Sequence, residues 1–248
     1  MSRVKIESDG GLRTVTLTYP EKRNIIDDQM REEMRAAFTA VRDDPDATAL
    51  VVAGEGTAFC GGADLPAIFG DRSRTVAEIR DDLRHVYDAF LVVQSLDIPT
   101  IAAVQGPAVG AGLNLAMACD MRIAGPGAKF SAPFSRIGLH PGGGCTWFLV
   151  NAIGAQRTLK LLLDGGSIAG QEAVEIGLAT CLEDDPLEAA TALGRRYASM
   201  DPQLTRDIKS TVRTAVRDGF EATLAMEAWA QASSASKPAI QQAMQRFR

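Results

Sequence analysis

Residues 101–120, IAAVQGPAVGAGLNLAMACD, give the strongest indication of the fold. The continuous apolar run at 101–104 predicts a strand buried on both faces of a sheet. Gly106-Pro107 predicts a turn after that strand, and the small residues at 110–112 predict the start of an apolar helix. A buried strand that leads through a glycine-rich turn into a helix is typical of an α/β protein.

Upstream of this stretch, the sequence alternates between strand and helix patterns. Alternating apolar residues predict half-buried strands, and apolar residues at every third or fourth position predict amphipathic helices. The predicted elements are strands at 4–6, 15–18 and 49–53, a hairpin turn at Gly10-Gly11, a helix from the capping residue Asp27 to about Asp43, and a second long helix after Arg74 with an apolar stripe of Val76, Ile79, Leu83, Val86 and Phe90.

Downstream, the pattern changes from alternating elements to helices. The apolar run at 121–124 predicts a strand, residues 130–144 predict a loop rich in proline and glycine, and from residue 156 the pattern is almost entirely helical. Breaks in this helical pattern are predicted near Gly165-Gly166, Pro186, Pro202 and Pro238. Because no flexible linker divides the chain, we expect a core at residues 1–190 that continues into a helical segment at residues 191–248.

Composition excludes several classes of function. Of the 248 residues, 46% are hydrophobic and 23% are charged, and the 26 Lys and Arg against 31 Asp and Glu give a net charge of −5. This acidic balance disfavours a nucleic-acid partner. The longest weakly polar stretch, residues 98–125, carries Gln105, Asn114 and Asp120 and is a poor membrane span. The first residues contain no apolar run, so we expect no signal peptide.

Cysteine and histidine usage disfavours redox and metal chemistry. No two of the four cysteines have CxxC spacing, which suits a reducing compartment, and we expect a cytoplasmic protein. The two histidines, His85 and His140, are far apart and have no neighbouring Cys or His. We therefore expect neither a metal site nor a cofactor.

Two glycine-rich turns are the candidate sites of chemistry. One is FCGGADL at 59–65 and the other is GPAVGAG at 106–112, and each follows a predicted buried strand. The second turn opens a helix, whose first N–H groups are unpaired and carry partial positive charge. If the turns face each other, two N–H groups can hold one oxygen, which is the geometry of an oxyanion hole. The alternative is two tight turns in a packed protein, and the glycine spacing does not match a dinucleotide-binding GxGxxG motif.

The stretch at 101–120 resembles the signature of the crotonase superfamily, the enoyl-CoA hydratases and isomerases. Counterparts to this family occur in order along nearly the whole chain: YPEKRNII at 19–26, GTAFCGGADL at 56–65, FSAPFSRIGLHPGGG at 130–144 and SIAGQEAVEIGLA at 167–179. The resemblance implies a crotonase-like spiral of ββα units and a C-terminal helical segment that packs in a homotrimer or a dimer of trimers. It also implies an acyl-CoA thioester as the ligand, with no other cofactor.

The resemblance assigns roles to individual residues. The backbone N–H groups of Ala63 and Ala111 would hold the thioester oxygen and stabilise an enolate-like state. Arg23 would meet a CoA phosphate, although Lys22 and Arg23 could equally be a solvated basic pair. The full set expected to contact the substrate or CoA is Arg23, Ile25, Gly61, Gly62, Asp64, Leu65, Gly110, Phe134 and Gly138.

The chain departs from the family where hydratases carry two glutamates. The matching positions hold Asn114 and Phe134, so both carboxylates are missing. Asn114 can orient a water or a carbonyl but cannot take a proton, and Phe134 can only pack. Branches of the family that use an aspartate near residue 142 are disfavoured as well, because the chain has Gly142. His140 is the candidate replacement for proton transfer, and the alternative is a structural role in its glycine-rich loop.

Other candidate groups have plainer interpretations. Asp64 is expected to cap a helix or a turn rather than act as a base. His85 is expected on a helix surface, and Cys60 and Cys145 are expected to be buried thiols without a catalytic role.

The leading hypothesis is an enoyl-CoA hydratase/isomerase family protein of fatty acid metabolism, a lyase or isomerase that is not an efficient short-chain hydratase. The alternatives are a non-catalytic acyl-CoA binding protein and a ligand-free structural homologue.

Overall fold

Two β-sheets form the centre of the computed structural model, which describes residues 2–235, 237 and 240. The larger sheet has six strands, which are, in spatial order, β1 (Val4–Asp9), β2 (Leu12–Leu17), β3 (Ala49–Gly54), β4 (Thr100–Val104), β6 (Met121–Ala124) and β9 (Cys181–Leu182). The smaller sheet consists of β5 (Pro107–Val109), β7 (Lys129–Ser131) and β8 (Ser167–Ala169). Strands β1 and β2 pair antiparallel through the predicted turn at Gly10-Gly11, and the rest of the larger sheet is parallel.

Nine α-helices surround the sheets within the described residues. They are α1 (Asp28–Asp43), α2 (Leu65–Phe69), α3 (Val76–Ser95), α4 (Ala111–Ala118), α5 (Cys145–Asp164), α6 (Gly170–Glu175), α7 (Pro186–Ala198), α8 (Pro202–Arg217) and α9 (Phe220–Ala235). Twice along the chain, a strand of the larger sheet is followed by a strand of the smaller sheet and then by a helix. The two units are β4–β5–α4 and β6–β7–α5. This order confirms the predicted spiral of ββα units.

Both faces of the larger sheet are covered, because side chains along a strand alternate between the faces. On β3, Leu50 and Val52 join the main core under α1 and α3, while Val51 belongs to a second core under α7. Ala190 of α7 is fully buried in that second core. The boundary that the sequence suggested at residue 190 therefore falls inside a helix that packs on the sheet.

Local sequence signals explain the ends of the helices. Asp27 caps α1 as predicted, since its carboxylate accepts a hydrogen bond from the Met30 N–H at 2.8 Å. Thr75 and Glu78 form a capping box at the start of α3. The breaks predicted near Gly165-Gly166, Pro186 and Pro202 coincide with helix ends, whereas the break near Pro238 lies outside the described residues.

Four expectations from the sequence are wrong in detail. Pro107 is not in a turn but is the first residue of β5, a position where a strand tolerates proline. The loop predicted at 130–144 contains the end of β7 and a 3-10 helix at Pro133–Ile137. The segment from residue 156, predicted as almost entirely helical, contains β8 and β9. Val76, placed on the apolar stripe of α3, is 85% exposed because it lies in the first turn of the helix.

The C-terminal helices differ from the rest of the fold. Helices α8 and α9 pack against each other, and no residue of α9 is buried. Large apolar side chains are exposed on this pair, namely Ile208, Val212, Val216, Phe220, Leu224 and Trp229. Among the described helices, none is both long and apolar enough to cross a membrane.

Candidate active site

A parallel bridge brings the two glycine-rich turns together. Cys60 pairs with Ala108 of β5, and the Val109 N–H donates a hydrogen bond to the Cys60 carbonyl oxygen at 2.9 Å. Ala63 lies three residues after Cys60, and Ala111 lies three residues after Ala108. The predicted pair lies close together, since a Cβ built on Gly62, next to Ala63, would be 3.6 Å from the Ala111 nitrogen.

Glycine is required where the turns touch. A Cβ on Gly62 would lie 2.5 Å from the Val109 carbonyl oxygen and 3.6 Å from the Ala111 nitrogen, and Gly62 has a φ of +94°. Gly110, at a φ of +54°, precedes α4. Any side chain at Gly62 would therefore separate the turns, which is why the close approach depends on this glycine.

The N–H groups of Ala63 and Ala111 donate to no acceptor among the described residues. Ala111 is the first residue of α4, where helical N–H groups lack intrahelical partners and the helix dipole adds partial positive charge. At the other turn, the Ile26 N–H donates to the Gly62 carbonyl oxygen, and the Ile26 carbonyl oxygen accepts from the Asp64 N–H. The N–H of Ala63, which lies between these two residues, is left without an acceptor among the described residues. Two free donors on adjacent turns support the predicted oxyanion hole, which stays a prediction.

The Asn24 side chain stabilises the first turn through hydrogen bonds to the backbone. Its side chain is fully buried, and Nδ2 donates to the carbonyl oxygens of Glu55, Ala58 and Phe59 while Oδ1 accepts from the Tyr19 N–H at 2.8 Å. Asn24 has a left-handed φ of 54°. Since left-handed backbone is uncommon outside glycine, these hydrogen bonds stabilise a strained loop against the turn.

A cavity of about 110 Å³ opens beside the two turns. Its lining residues are Gly61, Gly62, Ala63, Leu65, Ile68, Phe69, Leu83, Val86, Tyr87, Val109, Gly110, Ala111, Asn114, Pro133, Phe134, Ile137, Leu139, His140 and Gly142. Most of them are apolar, and no Asp, Glu, Lys or Arg of the described residues is among them. We call residues 61–63 and 110–111 the amide side of this cavity, and residues 133–142 its loop side.

Most of the site residues predicted from the sequence border this cavity. Those that do are Gly61, Gly62, Ala63, Leu65, Gly110, Ala111, Asn114, Phe134 and His140. Four others do not. Ile25 packs against Gly61, Asp64 caps α2 by accepting from the Ala67 N–H, and Gly138 ends the 3-10 helix. The fourth, Arg23, accepts a hydrogen bond from the Gly61 N–H through its carbonyl, and its exposed side chain forms no ion pair within the described part of the chain.

Asn114 projects from α4 one turn after Ala111 and is 2% exposed. Its Nδ2 donates to the Gly142 carbonyl oxygen at 2.8 Å. Its Oδ1 is buried and has no hydrogen-bond partner. Phe134, on the opposite side, lies near Gly110, where a Cβ would be 3.7 Å from the ring.

Tyr87 of α3 is a cavity residue that the sequence analysis missed. A Cβ on Gly142 would overlap the Tyr87 hydroxyl oxygen, so the tyrosine fits only because residue 142 is glycine. Burial raises the pKa of Tyr87, and the Gly143 N–H partly opposes that rise. The available signal was its spacing, because Tyr87 is four residues after Leu83 of the predicted stripe and shares its helix face.

The two histidines lie in different places. His140 borders the cavity and is exposed, and its Nδ1 lies 2.7 Å from the Pro141 carbonyl oxygen. Since a carbonyl only accepts, Nδ1 is the donor of this hydrogen bond, and Nε2 has no hydrogen-bond partner within the described residues. His85 is exposed on α3 and does not border the cavity.

The thiols near the site are not activated. Burial raises the pKa of Cys60 to about 12, although the Gly62 N–H opposes the rise, and burial also raises the pKa of Cys145 to about 12. Thiolates are the nucleophilic form, so both groups stay inert near neutral pH. Within the described residues, no three His, Cys, Asp or Glu side chains are grouped to hold a metal ion.

Comparison with known proteins agrees with this fold. The family model for enoyl-CoA hydratase/isomerase matches residues 7–248, and the chain belongs to that family. A Mycobacterium tuberculosis protein described as a probable enoyl-CoA hydratase, EchA14, is 44% identical over 216 residues, which cover 87% of this chain and 83% of the relative. The 2,3-dehydroadipyl-CoA hydratase of Escherichia coli is 30% identical over 230 residues, covering 92% of this chain and 88% of the relative.

Solved structures show the same architecture. A crystal structure from Mycobacterium abscessus, described as an enoyl-CoA hydratase/isomerase, superposes with a TM-score of 0.92 at 29% identity and covers 98% of this chain and 95% of that one. The α/β fold with a C-terminal helical region is thus the fold of the family.

Proposed function

We propose that the protein binds an acyl-CoA thioester with the thioester oxygen between the N–H groups of Ala63 and Ala111. The observation that carries this proposal is the pair of unused donors on adjacent turns at the edge of an apolar cavity. Negative charge that develops on the oxygen during chemistry at the α-carbon is stabilised by donors already in place, each worth roughly 3 kcal/mol. The apolar lining suits the acyl chain.

The reaction that best fits the cavity is enolate-type chemistry rather than efficient hydration of short enoyl-CoAs. Asn114 and Phe134 stand where the family resemblance places the two hydratase glutamates, and no carboxylate side chain of the described residues borders the cavity. Each general acid–base group typically contributes about 10²–10⁴-fold to a rate. Some relatives carry hydratase names, so turnover of crotonyl-CoA at about 1–10³ per second would contradict this part of the proposal.

Calorimetric titration with butyryl-CoA and with free CoA tests the carbonyl site. Ala111→Pro removes one N–H at a helix position that tolerates proline, and Ala111→Gly keeps it as the matched control. We expect Ala111→Pro to remove the extra affinity that the butyryl group adds to CoA, while Ala111→Gly retains most of it. Equal affinity of both variants for butyryl-CoA would show that the oxygen is held elsewhere.

A non-catalytic acyl-CoA binding protein is the second candidate, and the apolar Phe134 ring beside Gly110 favours it. Exchange of the butyryl-CoA α-protons in D₂O, followed by proton NMR, separates the two candidates. Catalysed exchange indicates an enzyme that forms an enolate. Binding without exchange above the uncatalysed rate indicates a carrier or sensor.

We propose that the guanidinium of Arg23 binds a phosphate of CoA. Its side chain is exposed and lacks an ion-pair partner in the described residues, and its backbone contacts Gly61 of the amide side. Arg23→Gln should weaken binding of free CoA most strongly at low salt, because exposed charges are screened as ionic strength rises. Binding that is equally tight at all salt concentrations would contradict this role.

We also propose that α8 and α9 pack against further copies of the chain, as a trimer or a dimer of trimers. Their exposed apolar residues, Phe220, Leu224 and Trp229 among them, support an interface because such side chains rarely cluster on a free surface. Light scattering after size exclusion measures the mass, and a monomer would contradict the proposal.

The unpaired cysteines support the expected reducing, cytoplasmic location.

A further inference from the structure

Residues 100–120 are tied together at their two ends, and we call them the closed segment. Asp120 Oδ2 accepts hydrogen bonds from the Thr100 N–H at 2.8 Å and from the Thr100 hydroxyl at 2.9 Å. In return, the Asp120 N–H donates to the Thr100 hydroxyl oxygen at 2.9 Å. The closed segment contains β4, β5 and α4, and Ala111 lies near its middle. The helix that carries the proposed thioester donor therefore ends at a point fixed to the start of β4.

Lys209 of α8 binds both sides of this tie. Its Nζ lies 2.6 Å from Asp120 Oδ2 and donates to the Ile98 carbonyl oxygen at 2.6 Å. Lys209 is 9% exposed, and charged side chains are rarely buried this far unless they are paired. Burial lowers its pKa, while the Asp120 carboxylate opposes the fall. Removing the cation would take this partner from a carboxylate and a carbonyl at once, so the position of Asp120 depends on α8.

Cations hold the C-terminal end of α4. Arg122 Nη1 donates at 2.9 Å to the carbonyl oxygen of Cys119, the C-cap residue of α4, and Lys209 acts one residue further on, through Asp120. Positive charge is favourable there because the C-terminus of a helix carries partial negative charge. The eight residues of α4 span about 12 Å at ~1.5 Å per residue. Since close-packed interiors transmit displacements, a shift of this end carries Ala111 with it.

Packing at the start of α4 resists approach to the first turn. A Cβ on Gly112 would overlap the Cys60 carbonyl oxygen, so the helix already touches that turn. Contact of this kind does not resist withdrawal. The hydrogen bond from the Val109 N–H to Cys60 holds β5, whereas α4 begins only after the bend at Gly110, whose φ is +54°. The tie at the other end of α4 adds the resistance to withdrawal.

We propose that Lys209 is a positioning residue for the Ala111 N–H, which it holds in place by fixing the end of the closed segment from α8. This inference rests on the proposed binding of the thioester oxygen at Ala63 and Ala111. The oxygen must lie about 2.7–3.1 Å from each donor, so withdrawal of α4 would lengthen one hydrogen bond while the other stays. Misplacement by about 1 Å, caused by a substitution far from the reacting atoms, can cost ~10²-fold in rate.

Calorimetric titration with butyryl-CoA and with free CoA measures the extra affinity that the butyryl group adds. Lys209→Gln removes the charge and is expected to reduce this extra affinity about tenfold, as loss of one hydrogen bond to a charged group would. The affinity for free CoA should change little. Lys209→Arg keeps a cation and should restore most of the extra affinity.

Arg13→Gln is the matched control. Arg13 is 7% exposed, lies 2.7 Å from the Asp44 carboxylate and donates to the Gly10 carbonyl oxygen at 2.6 Å. The variant therefore removes the same kind of buried cation from β2, away from the cavity, and should keep the full extra affinity. Equal losses of extra affinity in Arg13→Gln and Lys209→Gln would make Lys209 a structural ion pair only and would overturn the inference.

Thr100→Val tests the same tie without changing a charge, in case Lys209→Gln does not fold. It removes the hydroxyl that both donates to Asp120 and accepts from it, and we expect the extra affinity to fall about threefold. Thr158→Val is its control, because the Thr158 hydroxyl is buried and has no hydrogen-bond partner within the described residues. Full extra affinity in Thr100→Val would overturn the inference and leave the carbonyl site standing. If the wild type binds butyryl-CoA no more tightly than free CoA, the carbonyl site is wrong and the inference falls with it.

Discussion

The two sides of the cavity are built differently. On the amide side, backbone hydrogen bonds to distant parts of the chain hold the turns, from the Gly61 N–H to Arg23 at 2.7 Å and from the Gly110 N–H to Ser131 at 3.0 Å. On the loop side, the backbone bonds are local, such as the Leu139 N–H to Phe134 at 3.0 Å. The amide side therefore offers main-chain donors that side-chain substitution leaves in place. The loop side instead lines the cavity with side chains such as Phe134 and His140, which substitution changes directly.

The largest expected effect is at Gly112, next to Ala111. A Cβ there would overlap the Cys60 carbonyl oxygen and lie 2.7 Å from the Cys60 Cβ. Gly112→Ala should push α4 away from the first turn and lower the free energy of unfolding by about 3 kcal/mol, measured by urea denaturation. Gly138→Ala is the loop-side control. Space is open around a Cβ at Gly138, so only its left-handed backbone costs stability, roughly 1 kcal/mol.

If Gly112→Ala and Gly138→Ala lower the free energy of unfolding equally, the amide side does not depend on close backbone contact more than the loop side does.

Carboxylates introduced at positions 114 and 134 should change the reaction. With the amide side intact, the double variant Asn114→Glu, Phe134→Glu is expected to raise hydration of crotonyl-CoA about 10²-fold, because it supplies general acid–base groups. The double variant Asn114→Gln, Phe134→Gln has the same size without acidity and is the control. Equal rates in the two double variants would show that missing carboxylates are not what limits hydration.

A smaller effect is expected at His140. If its free Nε2 takes the α-proton, His140→Ala should slow α-proton exchange of butyryl-CoA about 10-fold, less than the 10²–10⁴-fold typical of acid–base groups because the ring is exposed. NMR in D₂O measures the rate. His85→Ala, on the α3 surface away from the cavity, should exchange as the wild type does. Unchanged exchange in His140→Ala would leave its ring with a structural role only.

The smallest effect is expected at the rim of the loop side. Ile137 borders the cavity but is 59% exposed. Ile137→Ser should weaken binding of octanoyl-CoA about threefold by removing partly buried apolar surface. Butyryl-CoA, whose acyl chain is shorter, should bind unchanged. Equal losses for both ligands in calorimetry would place Ile137 near the thioester instead.

Elements with a strong local pattern were predictable from the sequence. The buried runs that became β3 and β4, and the glycine-rich start of α4, are confirmed because apolar periodicity and backbone freedom are encoded locally. Strands β8 and β9 were missed because two or three residues are too few to show a period. Strand β5 was mistaken for a turn because its pairing partners, β7 and Cys60, are distant in sequence.

The site was predictable to a similar extent. Its two turns follow from glycine spacing, whereas Asn114 was identified through the family resemblance, and helical periodicity only places it on the same face as Ala111. The unpaired Oδ1 of Asn114 could not be found in this way, since it depends on where Gly142 of a distant loop is placed, and the spacing of Tyr87 from Leu83 predicts only its helix face. Local patterns identify backbone donors, whereas side-chain partners across a cavity are set by tertiary packing.

The shared register of the two turns has a consequence for how chain length can vary. From the Cys60–Ala108 bridge, three residues along each turn lead to the two free N–H groups. Inserting or deleting one residue in either turn would move one donor out of place relative to the other. Homologues should therefore tolerate length changes in the segment between α2 and α3, while both turns keep the same number of residues.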